Sequence, residues 1–405
     1  MWQGLRNTTA FRSLTCSSRM RPKHEIGQII RDWGDDFFDS YPTVPQVRKS
    51  FQAMALCRTS LLGGHVEVCP ECGEVRVSYN SCRDRHCPKC QNKEREAWIE
   101  MRREEIIPGT KYFHMVFTIP DCFHPLAIAN QALFYTCMFR AAWATLRKFF
   151  GKQGLQGGMT GILHTWGSNL FYHPHIHCIV TGGGVDRDGA WQHLKGCRGN
   201  SNFLFPVPAL SKVFRAKMLA ALTKELAKIG TAIPKDVRKA AMSKDWVVFS
   251  RPPAKGVNQV LEYIGRYAYR VAISNSRIRN VTAGGMVTYD WKDYRNGGKH
   301  KEMTMHAKEF LHLFSMHILP PAFVRIRHYG LLSPSNREKV RQVQIQLGGT
   351  PVPKERKKKP YMQICAEKGW NIGICPNCKC PMIIIEVIAP TRAPPVKYTN
   401  SLTAH

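Results

Sequence analysis

Acidic residues are scarce in this 405-residue chain: Asp and Glu number 29 against 59 Lys and Arg, a net charge of +30. The imbalance says nothing about fold, but it gives a surface that attracts polyanions, nucleic acid first among them. Long apolar runs are also missing. No stretch approaches the roughly 18 uninterrupted apolar residues of a membrane span, which excludes a helical integral membrane protein. There is no lipid anchor and no basic helix beside an apolar span, so nucleic acid is expected ahead of a membrane surface. No internal repeat is visible. Hydrophobic residues at 43% exclude wholesale disorder. At about 150 residues per domain the length suggests two or three domains.

Cysteine is abundant, at 15 residues. A disulfide framework suits a short secreted domain, so clustered cysteines in a chain of this length read as metal ligands. The first 24 residues hold no acid and carry Arg6, Arg12, Arg19, Arg21 and Lys23. They resemble a transit peptide weakly, and are expected to be an untidy extension with Met20 as an alternative initiator. By composition, residues 25–105 stand apart for their dense cysteines and residues 106–345 for alternating strand and helix patterns with most of the histidines. Residues 346–405 follow as a basic linker, Lys354 to Lys359, and a cysteine-bearing tail.

The string CPECGEVRVSYNSCRDRHCPKCQ holds two C-x-x-C pairs, Cys69 with Cys72 and Cys87 with Cys90, separated by fourteen residues. This spacing fits one tetrahedral, all-cysteine zinc site. Cys57, His65, Cys82 and His86 remain nearby as a second zinc site, as alternative ligands of the first, or as neither. Arg83, Arg85 and Lys89 rim the knuckles as candidate DNA contacts.

In the middle region, Tyr112 to Ile119 reads as a strand and Leu126 to Phe150 as a long helix. Met159 to Trp166 and His175 to Thr181 read as antiparallel neighbours joined by a turn near Gly167. Helices are expected at Leu210 to Ile229 and Asn258 to Ile273, a strand at Trp246 to Ser250, and a hairpin around Asn296-Gly297-Gly298. The mixture suggests an α+β fold with an antiparallel sheet carrying helices on one face.

Within HPHIHCIV, residues 173–180, alternate side chains share a strand face. His173, His175 and His177 then point one way, and Ile176, Cys178 and Val180 point into a core. Two imidazoles at i and i+2 can bind one metal ion, and His164 on the preceding strand is the best third ligand. His173 is the alternative, as a supporting partner or DNA contact.

The segment VNQVLEYIGRYAYRVAI, residues 257–273, wound as a helix, sets Gln259, Tyr263, Arg266, Tyr267 and Arg270 on one stripe. Tyrosine titrates near 10, so it attacks at neutral pH only where something stabilises the phenolate. Arginines and a metal-polarised phosphate do so. Gln259 is a fallback metal ligand. Tyr269 points away from the Tyr263 stripe.

The motif His175-Ile176-His177 followed by YIGRY, with Tyr263 and Tyr267, resembles the HUH endonuclease superfamily. Together with the N-terminal CPECG…NSCRDRHCPKCQ and the string HILPPAFVRIRHYGLL, residues 317–332, it resembles the paired-tyrosine, rolling-circle insertion-sequence transposases of bacteria. The resemblance spans about residues 25–335 and implies an HUH endonuclease-like α+β fold with a small zinc-binding N-terminal domain. It implies nicking and rejoining of single-stranded or hairpin DNA at transposon ends, with transfer to target DNA. Tyr263 attacks to leave a 5′-phosphotyrosine, and Tyr267 makes the second cut. It also implies a divalent ion, Mg2+ or Mn2+, on His164, His175 and His177, with Arg266 and Arg270 holding phosphates and structural Zn2+ on the cysteines. No nucleotide cofactor is needed, no membrane is involved, and the implied location is the bacterial cytoplasm, near the nucleoid. Arg325 and Arg327 are expected to track DNA. A rolling-circle replication initiator or relaxase is the rival within this chemistry. A non-catalytic zinc-dependent DNA-binding regulator is the rival outside it.

Overall fold

The structure, a computed structural model, describes residues 22–195, 204–251, 260, 265, 267–355 and 359–391. Thirteen strands are described, and the elements fall around three sheets and one short ribbon.

The central sheet has five antiparallel strands: β3 (Tyr112–Thr118), β4 (Gly158–Trp166), β5 (Tyr172–Thr181), β8 (Val248–Arg251) and β12 (Ile326–Gly330). Their order is β12-β4-β5-β3-β8. Alternation sorts the side chains. Phe113, Met115 and Phe117 of β3, Met159 and Leu163 of β4, and Ile176, Cys178 and Val180 of β5 enter the largest core. Two long helices, α5 (Gln131–Gly151) and α6 (Val207–Ala227), cover that face. Each fully buried aromatic there, such as Phe139 or Phe214, contributes about 1.5–3 kcal/mol. The expected single helix from Leu126 is two, α4 (His124–Ala129) and α5. Asn130 interrupts it with a non-helical backbone while its side-chain amide donates to the Leu126 carbonyl at 3.2 Å. Helix α7 (Lys235–Met242) packs at the Asp121–Phe123 turn.

The opposite face of this sheet is also covered. Trp98 and Ile99 of α3 (Asn92–Glu104) pack with Tyr112, Ile162, Ile179, Val260 and Ala268. The strand turn joining β4 to β5 and the β10–β11 hairpin form where the sequence places them. β10 (Met286–Asp293) pairs with β11 (Lys299–His306) and β9 (Ile278–Val281). This second sheet and α8 (Ala307–Ser315) share a core with α1 (Ile26–Ser40) and α2 (Pro45–Leu56). Packing therefore crosses the boundary expected at residue 105.

The third sheet crosses the other expected boundary. β1 (Gly64–Val68) lies between β2 (Val75–Tyr79) and β13 (Ile383–Ile388), the latter from the C-terminal tail. Helix α10 (Tyr361–Glu367) packs on α3. The ribbon of β6 (Gly183–Val185) and β7 (Trp191–His193) meets α9 (Arg337–Gln346) in a small core of Val185, Trp191, Val340 and Val343. Among the described residues, no helix is long and apolar enough to cross a membrane.

Candidate functional site

Strand register builds the histidine cluster. His164 of β4 stands opposite His175 of β5, and Ile162 opposite His177. His164, His175 and His177 thus share the face away from the main core, with their ligand atoms within 4.8 Å of one another. Each ring also has a second partner that orients it. His175 Nδ1 donates to the His173 carbonyl at 2.7 Å. His177 Nδ1 lies 2.8 Å from His114 Nε2. His164 Nε2 donates to the Tyr267 carbonyl at 2.8 Å, which leaves the lone pair on Nδ1.

Burial is the main reason that all four rings stay neutral. It pushes His164 and His177 well below the ordinary histidine range, His175 down to about 4 and His114 down to about 3. Neutral imidazole is the ligating form. With its proton on Nδ1, His175 turns an Nε2 lone pair toward His177 Nε2, only 3.1 Å away. A His177 Nε2–H donates across that gap, and with its proton on Nδ1 instead His177 turns a second lone pair to the same point, where a cation takes the proton's place. The donor set therefore fits a divalent cation held by His164, His175 and His177.

Tyr267 joins this cluster. Its half-buried ring lies 4.2 Å from that of His177, 5.5 Å from His114 and 5.9 Å from His164, centroid to centroid. Arg270 is exposed, and its charge helps hold His164, His175 and His177 neutral. Tyr269 turns away, as its helical angle implies, between Trp98 and Arg325. Gln259, Tyr263 and Arg266 lie outside the described residues.

His173 points elsewhere, into a group with Asp121 and His124. His114 was not singled out by sequence reasoning. Its signal was available: in YFHMVFT it sits on the alternate face from Phe113, Met115 and Phe117, the same face as the partner strand's histidines. Among the aromatics near the histidine strand, Tyr172 is buried with its hydroxyl 2.7 Å from that of Tyr135. Phe171 is exposed, and Trp166 stacks on His164 at 4.5 Å.

The cysteines do not group as the spacing suggests. Cys69, Cys72, Cys87 and Cys90 are divided between two clusters: Cys57, Cys82, Cys87 and Cys90 in one, Cys69, Cys72, Cys375 and Cys378 in the other. The β1–β2 hairpin explains the division. Cys69 and Cys72 lie at its turn, whereas Cys57 and Cys82 flank its open end. Five-residue strands separate the two ends by about 16 Å, so one ion cannot serve both. The knuckle at Cys87 and Cys90 joins the open end, where Cys57 and Cys90 sulfurs lie 3.3 Å apart. Contacts from Cys57, Cys82 and Cys87 hold the Cys90 thiol far below its ordinary range. The alternative set of Cys57, His65, Cys82 and His86 is corrected likewise. His86 engages Asp84 through Nδ1 and accepts from the Leu319 N–H through Nε2, and His65 stands 3.8 Å from Glu67.

Most of the expected DNA-contact cations are engaged within the chain. Arg85 donates to the carbonyls of Phe323 and Pro320, at 2.5 and 2.7 Å. Lys89 meets Glu25 and the Cys57 carbonyl. Arg327 lies over Phe139 and Phe323, donating to Thr136 and the Val324 carbonyl. Burial lowers Arg325 to about 10, and it lies over Tyr269. Arg83 alone of the five is exposed. HILPPAFVRIR is thus clamped to the zinc-side loop through Arg85.

A family model described as "Putative transposase" matches residues 158–340, and one described as "Transposase zinc-binding domain" matches residues 29–119. The "Putative transposase y4qJ" of Sinorhizobium fredii (strain NBRC 101917 / NGR234) is 40% identical over 399 residues, covering 93% of this chain and 98% of that protein. The "Transposase for insertion sequence element IS801" of Pseudomonas savastanoi pv. phaseolicola is 30% identical over 289 residues, covering 69% of this chain and 68% of that protein. No solved structure matches the chain.

Proposed function

This chain belongs to the paired-tyrosine insertion-sequence transposases with an N-terminal transposase zinc-binding domain, and we propose that it nicks and rejoins single-stranded DNA at transposon ends through a 5′-phosphotyrosine. The observation that carries the reading is the Tyr267 ring 4.2 Å from His177, on the sheet face that gathers three neutral imidazoles. His164, His175 and His177 would hold Mg2+ or Mn2+, which supplies charge neutralisation at the scissile phosphate when bound.

The chain's own residues do the rest. A phenol oxygen of Tyr263 or Tyr267 bonds to phosphorus as the bond from phosphorus to the 3′-oxygen breaks. The departing 3′-oxygen takes up a proton, and the phenol gives one up. The phosphodiester is conserved as a phosphotyrosine, so a free 3′-hydroxyl can reverse the step without ATP. The second tyrosine makes the second cut, which lets donor and target strands exchange. Arg270, exposed beside the cluster, meets the phosphate charge, and Arg266 of the same segment does likewise. Trp166 stacks on His164 and Tyr267 packs on His177, and exposed Phe171 offers a ring on which an unpaired base can stack. Exposed Arg83 beside the first cysteine cluster provides a backbone contact.

The test uses purified protein, a divalent ion and 3′-labelled single-stranded ends. Label should follow the protein through denaturation, require the metal ion, and change when either Tyr263→Phe or Tyr267→Phe is introduced. Undiminished labelling of the double variant would overturn the nucleophile assignment.

A further inference from the structure

We propose that Cys69, Cys72, Cys375 and Cys378 hold a second zinc ion, one that fastens the C-terminal tail to the N-terminal module. The matched zinc-binding region ends at residue 119, so it does not contain half of these ligands.

The geometry is that of two equivalent knuckles facing each other. Both read C-P-x-C, at residues 69–72 and 375–378. In the first, Gly73 N–H donates to the Cys69 carbonyl at 2.9 Å and Cys69 N–H donates to the Glu74 carbonyl at 2.8 Å. In the second, Lys379 N–H donates to the Cys375 carbonyl at 3.2 Å and Cys375 N–H to the Cys380 carbonyl at 2.8 Å. The residue after each pair is left-handed, Gly73 at φ 73° and Lys379 at φ 64°. A lysine tolerates that region only where surroundings impose it. Two segments without sequence continuity have thus adopted one backbone form, and it aims their sulfurs at a common point.

Cys69 and Cys378 sulfurs lie 3.3 Å apart, and those of Cys72 and Cys375 3.5 Å. These separations are too long for disulfides, at about 2.05 Å. They approach the roughly 3.8 Å edge of a tetrahedron with Zn–S bonds of about 2.3 Å.

The described part of the tail is docked beside this cluster. β13 pairs with β1 from Gly64↔Ile388 to Val68↔Ile383. Asn377 donates to Glu74 at 3.0 Å, and Lys368 pairs with buried Glu96 of α3. The ion would close a loop of 303 positions between Cys72 and Cys375. It would also brace α3, whose other side packs toward Tyr269 through Trp98.

Two measurements test the site. Native thiol alkylation of the full chain, with zinc and after chelation, is read by mass spectrometry. Cys72 and Cys378 are exposed, so they should react freely without metal, and zinc should protect all four cysteines together. Equal alkylation of Cys72 and Cys378 in both conditions overturns the proposal. Zinc content should be two ions per chain, falling to one in Cys375→Ser/Cys378→Ser, with faster proteolysis confined to the tail. One ion in the unaltered chain, or two in the variant, also overturns it.

Discussion

His164 and His175 meet across one strand pair, eleven positions apart; Cys72 and Cys375 meet across 303. The first encounter follows from pleat and register alone, because a short turn returns β5 antiparallel to β4 and every second side chain shares a face. The second depends on where the whole chain brings its end, and no local period encodes that. The two regions also differ in support. The imidazoles are fixed by a buried sheet with partners on their second nitrogens, whereas the thiols sit on loops whose shape relies on hydrogen bonds within each knuckle. A site made by register should therefore survive loss of its metal ion in shape, and a site made by loops should not.

The largest expected effect is on the register-built site. Replacing both His175 and His177 with alanine should lower metal-dependent cleavage by about 10³-fold or more, with the zinc content unchanged. If zinc falls as well, the two regions are not independent. Next comes His114, a positioning residue. His114→Ala should weaken Mn2+ binding by about 10- to 100-fold, measured by titration of the purified protein, and His114→Asn should restore part of it. An unchanged affinity would show that the His177 ring needs no help from β3.

A smaller effect concerns His317, which ties β4 to the second core. It is fully buried, contacts Thr165 Oγ1 at 3.1 Å and donates to the Leu170 carbonyl at 2.8 Å. Burial lowers its pKa to about 4. The folded state therefore refuses a proton that the unfolded chain accepts below about 6.5. Stability should be level above that pH and fall as pH drops toward 4, by about 1.4 kcal/mol per pH unit from this residue. Unfolding free energies from urea titrations at pH 7.5 and 5 should differ less in His317→Gln, by up to about 2 kcal/mol. An identical difference would remove His317 from the account. The smallest effect is that of Arg83→Ala, which should weaken DNA binding nearly uniformly across sequences and lower the salt slope by about one.

Much of the histidine site was legible because it is local. The alternation in HPHIHCIV separates Ile176, Cys178 and Val180 from His175 and His177, and the spacing to His164 matches one hairpin. The α+β character and the hairpin at Gly297 were legible for the same reason. The cysteine grouping was not. Two C-x-x-C pairs fourteen residues apart look sufficient until the β1–β2 hairpin holds them at opposite ends. The third C-P-x-C, at Cys375, was the available clue. The cation assignments to Arg85, Arg325 and Arg327 failed to anticipate internal partners, because net charge does not reveal which guanidiniums bind carbonyls or lie over rings.

We propose that the imidazole face and the paired tyrosines form one strand-cutting centre. Its most direct test is peptide mapping of the covalent DNA adduct. Trypsin cleaves after Arg266 and so separates Tyr263, on residues 256–266, from Tyr267, on residues 267–270. A nucleotide remnant is expected on one or both of these peptides, and only when a divalent ion was present. A remnant on any other peptide, or cleaved DNA with no protein attached at any time, would contradict it.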